Sequence, residues 1–346
     1  MMTEGKFAMP KISLKQIAEE AGVSPSLVSQ VLNNRGVRVS KDTRQRILDV
    51  TSKHHYKPNK LASGLKLKRT DTIAVIVPFT PVGFFSELVY HIEAYAMNFG
   101  YISLVLNTFG DRDKEMQILS LYQSQMADGI LFAPQDASFS NADFSQMQAE
   151  GYPLVFIDRH INDMKAITVS SNHFEVAREL TMHLIDRGSE NILFIKRDNE
   201  LLNSTKISRI EGYVHAMNER SMPPQIIGFE YSDIEDLDLY AKLEGRRQPD
   251  AIFLYSGFYM PYLLKICRLL GYDIERIQFA TVDPFIIPFS ILRNREIQYN
   301  FNNNLIVAVQ DTAIIAQQAV SSLIHLIKGE RSLNVSVYVP VKFVQL

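Results

Sequence analysis

Cysteine is almost absent: the 346 residues contain one, Cys267, so no intramolecular disulfide can form. That lone thiol fits a reducing compartment and reads as a small apolar residue on a helix. No apolar run approaches the roughly eighteen residues of a membrane span. The opening stretch MMTEGKFAMPK lacks the apolar segment of a secretory signal. A cytoplasmic protein with no membrane contact is the expectation, and the sequon Asn203-Ser204-Thr205 is then without consequence. Catalytic signatures are missing as well: there is no G-x-G-x-x-G, Walker A loop, G-x-S-x-G or H-E-x-x-H. These absences argue against an enzyme, and neither a metal nor a cofactor is expected. His54 and His55 stand near a helix end and read as surface groups rather than ligands. The run Asp111-Arg112-Asp113-Lys114-Glu115 reads as a solvated helix start rather than a catalytic carboxylate pair.

What is present describes an ordinary globular protein. Apolar residues make up 46% and charged residues 21%, with mean hydropathy near zero. The length predicts two or three domains. Charge is unevenly shared. Residues 1–70 hold 14 basic and 5 acidic side chains, a net of +9, while the remainder carries 22 against 33, a net of −11. A basic head on an acidic core points to a polyanionic partner for the head alone. Charge by itself would suit RNA, anionic lipid or DNA.

The motif decides among these. Ser13-Leu14-Lys15-Gln16 has the form of a capping box, and Leu14, Ile17, Ala18 and Ala21 follow as one apolar stripe. Gly22 ends that helix. Ser24 caps a second one, with Pro25 at its first position and Val28, Val31 and Leu32 facing inward. Two short helices joined by a glycine turn make a helix-turn-helix. The second helix turns Ser26, Ser29, Gln30 and Asn33 outward, short polar groups suited to base edges and phosphates. Arg35, Arg38, Lys41, Arg44 and Arg46 follow, where phosphate contacts would fix register. A third helix runs from a Ser40 cap through Ile47, Leu48 and Val50.

The runs ISLKQIAEEAGVSPSLVSQVLNN, VSKDTRQRIL and YKPNKLASGL together resemble the head and hinge of the lac-repressor-type (LacI/GalR) family of bacterial transcriptional regulators. The resemblance implies base reading by Pro25, Ser26 and Gln30, with Leu27 standing where a threonine is more usual. It implies a hinge over 59–69 in which Lys60 meets the backbone and Leu65 wedges between minor-groove base pairs. A short helix carrying Gly64 is marginal alone, so the hinge is expected to form only on DNA.

From Thr72 onward β-rich runs alternate with helical ones. Strand candidates are 72–77, 101–107, 129–133, 154–158, 192–195, 250–255 and 277–283, separated by amphipathic stretches such as 84–98, 112–126, 174–187 and 259–270. Continuous apolar strands between helices argue doubly wound parallel sheets. The length and the resemblance together imply two Rossmann-like lobes, periplasmic-binding-protein-like. The expected division is a head over 11–58 and a core over 70–346, with a first lobe of about 70–169 and 303–330 and a second of about 170–298 and 333–346.

Ligands of such sheets bind beyond the carboxyl ends of the strands. That places Phe79, Phe84, Phe85, Asp158, Arg159, Tyr255, Ser256 and Asp283 as effector contacts. The resemblance adds Arg209, at the arginine that relatives use to grip the effector. The chain departs from the sugar-binding pattern at Ser256-Gly257, at Ser171-Asn172 and at Asp283, which sits in TVDP. No heptad helix follows VSVYVPVKFVQL, so a homodimer is expected rather than a tetramer. The resulting expectation is a repressor on a near-palindromic DNA operator, modulated by a small, carbohydrate-related effector. Control by a protein partner, or a periplasmic-type solute-binding protein, are the alternatives.

Overall fold

Local capping chemistry sets the head. The computed structural model describes residues 12–32, 38–54, 56, 69–78, 83–124, 126–137, 141–162, 164–198, 203–230, 238–285, 301–330 and 336–346. The chain divides into two units, Met1–Thr70 and Asp71–Leu346. In the first, helices α1 (Leu14–Ala21), α2 (Pro25–Leu32) and α3 (Lys41–Lys53) form the expected set. Ser13 Oγ accepts from Gln16 N at 3.3 Å while Gln16 Oε1 accepts from Ser13 N at 2.8 Å, closing the capping box. Gly22 stops α1 in the left-handed conformation at φ 65°. Ser24 and Ser40 cap α2 and α3, each hydroxyl accepting a backbone N–H at 3.2 Å. Ile17, Ala18, Ala21, Val28, Val31 and Ile47 close the core. Leu48, expected inside, is 41% exposed. It follows Ile47 by one residue, about 100° round the helix, and so faces away.

Among the described residues, the second unit carries twelve strands: β1 (Thr72–Val77), β2 (Ile102–Asn107), β3 (Gly129–Phe132), β4 (Leu154–Ile157), β5 (Ile167–Ser170), β6 (Ile192–Arg197), β7 (Gln225–Phe229), β8 (Ala251–Leu254), β9 (Gln278–Val282), β10 (Leu305–Gln310), β11 (Ser336–Tyr338) and β12 (Val341–Gln345). Its helices are α4 (Phe84–Asn98), α5 (Arg112–Leu119), α6 (Asn141–Ala149), α7 (His173–Asp186), α8 (Ser204–Glu219), α9 (Asp238–Leu243), α10 (Met260–Leu269) and α11 (Thr312–Ile327). One sheet has the order β11-β5-β4-β3-β1-β2 and the other β12-β10-β9-β8-β6-β7. Pairing is parallel except at β12, which runs antiparallel to β10.

Alternation explains why these runs become central strands. In β1, Ile73, Val75 and Val77 pack with α4 and α11, while Ala74 and Ile76 pack with Leu119 and Phe144 on the other face. Both faces are covered, so every position after Thr72 is apolar. Full burial of each such large side chain contributes about 1.5–3 kcal/mol. Cys267 lies buried in α10, its thiol pushed up to about 12 by burial, as an inert apolar group. Asn203 is buried as the N-cap of α8, accepting from Lys206 N at 3.0 Å, which closes the sequon to modification.

The C-terminal segment divides otherwise than expected. Residues 303–330 do not fall in one lobe: β10 pairs with β9 in the second sheet, whereas α11 packs on the first. Residues 333–346 split too, β11 joining β5 and β12 joining β10. Among the described residues the backbone therefore passes between the lobes three times, at 171–172, 311 and 339–340. Helices α7 and α8 approach closely because Gly212 carries no side chain. A Cβ there would lie 2.2 Å from Phe174 O and 3.0 Å from Ala177 Cβ. Gly212→Ala is expected to lower stability by about 1–3 kcal/mol through overpacking, while Glu211→Ala on the exposed face leaves it unchanged. Equal denaturation midpoints for the two variants would contradict the close approach.

Candidate DNA-reading helix and interlobe site

In the head, α2 exposes Pro25, Ser26 and Gln30 and carries no acidic residue. Ser29 is half-buried, and the Ser24 hydroxyl is engaged by Leu27 N. Asn33, Arg35, Lys60 and Leu65 lie outside the described residues, as do His55 and, in the core, Phe79. Arg38, Lys41 and Arg46 are exposed beside α2 and α3. The acidic Glu20 on α1 is neutralised locally: hydrogen bonds from Lys53, at 2.6 Å, and from His54 hold its carboxyl below the ordinary range. His54 is thus half-buried and hydrogen-bonded to Glu20.

In the core, two aspartates end equivalent strands. Asp158 follows β4 and Asp283 follows β9, at φ 61° and 63°. Their N–H groups each reach back 2.9 Å to the neighbouring strand, to Val169 O and Ala308 O. Short polar residues tolerate this left-handed corner better than other L-residues do. The Asp158 carboxylate meets the second lobe's His173, while that of Asp283 accepts from Gln310.

A buried chain of polar groups crosses that space. Arg209 on α8 donates through Nη1 to Tyr255 O at 2.7 Å and through Nε to His173 Nδ1 at 3.3 Å. The opposite ring nitrogen of His173 meets Asp158 Oδ1 at 3.1 Å. Since Nδ1 accepts, Nε2 carries the hydrogen and donates to the carboxylate. Burial, joined by the Arg209 charge, lowers the His173 pKa, so the ring is neutral near pH 7. Burial alone would raise Asp158, but His173, Arg159 and Arg209 more than offset it and hold the carboxyl below its ordinary value. Arg159 continues the chain, 3.5 Å from Asp158 and donating to Gln135 Oε1 at 2.8 Å. Its guanidinium also lies 5.2 Å from the Phe85 ring centre, and Phe85 meets Phe84 edge-on.

Asp283 stands beside this chain. Burial pushes its carboxyl up to about 6 against the nearby Arg209 charge and two hydrogen bonds from Gln310, at 3.3 and 2.9 Å. Ser256 is half-buried at the start of the turn after β8. The departure at Ser256-Gly257 has a steric reason: a Cβ on Gly257 would sit 2.0 Å from Asp283 O. Arg209 thus meets Tyr255 directly, and Arg159 meets Asp158 and Phe85, with His173 linking the two groups.

His173, Gln310 and Lys206 were absent from the sequence reading. Lys206 is buried, its ammonium donating to Arg197 O at 3.1 Å and lying 5.8 Å from the Tyr255 ring centre. The expectation for the run ending at Glu115 also needs correction. Asp111 does cap α5, but Glu115 is fully buried, with both carboxylate oxygens 3.2 Å from Gln135 N. Its spacing to Leu119, four residues on, marks the inward stripe of α5.

Burial raises Glu115 to about 7. The native state then keeps this proton up to near pH 7 while the unfolded chain loses it near pH 4.5, so stability falls as pH rises between them. Glu115→Gln is expected to stabilise the protein by about 1–3 kcal/mol at pH 8 and to give no gain at pH 4. Denaturant titrations at the two pH values test this; an equal effect at both would contradict it.

Comparison with known proteins places both regions. Residues 13–59 match the family model "Bacterial regulatory proteins, lacI family", and residues 70–251 match "Periplasmic binding proteins and sugar binding domain of LacI family". The chain is 30% identical over 269 residues to the HTH-type transcriptional regulator DegA of Bacillus subtilis (strain 168), covering 75% of this chain and 78% of that protein. It is 28% identical to catabolite control protein A of Priestia megaterium over 70% of this chain and 73% of that one. Among solved structures it resembles the Lac repressor dimer bound to operator and the anti-inducer ONPF, at 19% identity, with a TM-score of 0.79 over 96% of this chain and 98% of that chain. The matched relatives are transcriptional regulators, not enzymes, and among the described residues no helix is long and apolar enough to cross a membrane. The chain belongs to the LacI family of bacterial regulatory proteins and is a DNA-binding transcriptional regulator.

Proposed function

We propose that the protein is a cytoplasmic repressor that binds a near-palindromic operator as a homodimer and is modulated by a small, carbohydrate-related effector held between its core lobes. The observation that carries the DNA reading is the outer face of α2: Ser26 and Gln30 stand exposed on a helix without acidic residues, next to basic Arg38 and Lys41. Pro25, Ser26 and Gln30 read bases. Ser24, Ser29, Asn33, Arg35 and Lys60 contact the backbone, and Leu65 wedges the minor groove from the hinge over 59–69. Phosphate contacts supply affinity and Gln30 supplies discrimination, since a glutamine can pair bidentately with adenine.

Dimerisation is supported by an exposed apolar set on α4 and β2. Tyr90 and Met97, seven residues apart on one face of α4, are 67% and 73% exposed, and Ile102 on the edge strand is 62% exposed. Two copies related by a two-fold axis would present their α2 helices to successive major grooves. Effector control is supported by the polar chain that spans the lobes through Asp158, Arg159, His173 and Arg209. Phe79, Phe84, Phe85, Tyr255, Ser256 and Asp283 complete that site in this reading. An effector that alters the chain alters the lobes' relative closure, and with it the spacing of the hinges.

The test is selection of bound sequences from random duplex DNA, followed by titration of the selected site at several salt concentrations. A near-palindrome is expected, with affinity falling about 10³–10⁵-fold between roughly 50 and 200 mM salt for six to ten phosphate contacts. Gln30→Ala should lose about 1–3 kcal/mol of discrimination at one base pair in each half-site. No enriched sequence, or a flat salt response, would contradict the proposal.

A further inference from the structure

One buried carboxyl belongs neither to the DNA-reading helix nor to the polar chain. Glu115 on α5 is fully buried, and both its oxygens lie 3.2 Å from a single backbone N–H, that of Gln135 after β3. An ionised carboxylate offers about four acceptor sites. One shared N–H serves such an anion poorly, so the geometry itself favours the protonated acid. Asp136, also buried, adds like charge from the same turn and is paired with Arg112 at 3.7 Å. Asp111, Asp113 and Lys114 lie on the exposed part of α5 and face water. A second cation, Arg159 after β4, acts on Glu115 from across the strand ends. Burial outweighs the Gln135 hydrogen bond and the attraction of both arginines, which is why the carboxyl stands at about 7.

Arg159 braces Asp158, the first lobe's end of the interlobe chain, and it does so loosely. Its Nη1 donates to Gln135 Oε1 at 2.8 Å, its Nε lies 3.5 Å from Asp158 Oδ2, and its guanidinium sits 5.2 Å from the Phe85 ring centre. That Nε is buried and makes no hydrogen bond among the described residues. Gln135 touches both groups, its backbone N–H meeting Glu115 and its side chain meeting Arg159. An idle guanidinium donor thus stands one residue away from a carboxyl short of donors. Loss of the Glu115 proton leaves a buried charge that is strongly unfavourable unless paired, and Arg159 can pair it.

We propose that Glu115 is a proton-sensing site: when it ionises, Arg159 turns from Asp158 towards it, unbracing the carboxylate that His173 bridges to the second lobe and making operator affinity depend on pH. His173 keeps its bonds to Asp158 and Arg209 in both states, so the change is confined to the Arg159 arm. The sign follows from linkage. The arrangement in which Arg159 pairs with Asp158 holds the Glu115 proton more tightly, so it gains as pH falls through about 7 and gives way as pH rises. The proton is itself the ligand and no effector is needed; only the operator readout rests on the DNA reading above.

Operator titrations of the full-length protein at about pH 6, 7 and 8 test the consequence. They use a site selected as above and set the wild type beside Glu115→Gln, whose amide stands in for the protonated acid. Wild-type affinity is expected to change about fivefold or more across this range, the lower end of ordinary allosteric coupling. Glu115→Gln is expected to hold the wild type's low-pH value throughout. Denaturant titration at each pH checks that both proteins are folded. A wild type without that change, or a variant that follows the wild-type profile, would overturn the proposal. Nitrogen-15 spectra of the arginine-labelled protein, with Arg159 assigned by Arg159→Lys, need no operator and so separate this inference from the DNA reading. The Arg159 Nε resonance is expected to move through one transition near pH 7 in the wild type and to stay fixed in Glu115→Gln. A resonance that stays constant in both proteins would overturn the proposal even where an operator is found.

Discussion

A neutral imidazole holds the core's interior polar groups in place. His173 accepts from Arg209 on one side and donates to Asp158 on the other, and the two partners belong to different lobes. Each hydrogen bond involves a charged group and is worth about 1.5–3 kcal/mol, and stranding one buried charge costs about 3–5 kcal/mol. The ring must remain uncharged for this pattern, because a doubly protonated imidazole has no lone pair to offer the guanidinium. Burial and the adjacent arginine keep it so. The sequence places His173 where the chain first crosses from β5 to α7, so the crossing point and the polar bridge are one feature.

From that bridge the regulatory behaviour of a two-lobed core follows. Among the described residues three backbone crossings join the lobes, and neither sheet spans both. The Arg209–His173–Asp158–Arg159 chain and the bond from His160 N to Ser204 Oγ tie them together. A small molecule can shift such an equilibrium only by its differential affinity for the arrangements. A ligand that contacts both lobes can meet that condition.

Much of this was legible in the chain, for identifiable reasons. Caps at Ser13, Ser24 and Ser40 and the apolar stripe through Ile17, Ala18 and Ala21 gave the head, because capping is local chemistry. The buried parallel strands from β1 to β9 were largely visible as apolar runs, with β5 (ITVS) and β7 (QIIGF) the exceptions. The first carries two hydroxyl residues and the second is only partly buried, so neither offers a continuous apolar signal. Strands β10 to β12 escaped notice because their sheet membership depends on long-range return of the chain. Within the site, strand ends located Asp158, Tyr255 and Asp283. His173 and Lys206 were missed because their signal is burial inside a tertiary crevice, which spacing does not reveal. Glu115 was misread since four charged neighbours disguise its inward position on α5. The Ser256-Gly257 departure from the sugar-binding pattern makes room for the Asp283 carbonyl, a close approach that spacing does not reveal.

The most direct test of the account is the protonation state of one ring. Nitrogen-15 spectra of the histidine-labelled full-length protein, with His173 assigned by its Asn variant, report which nitrogen carries hydrogen. The account predicts a neutral His173 with hydrogen on Nε2, its shift constant from pH 8 down to below the ordinary histidine value of 6.5. A ring that titrates at 6.5 or above, or that carries its hydrogen on Nδ1, would contradict the bridge on which the rest depends.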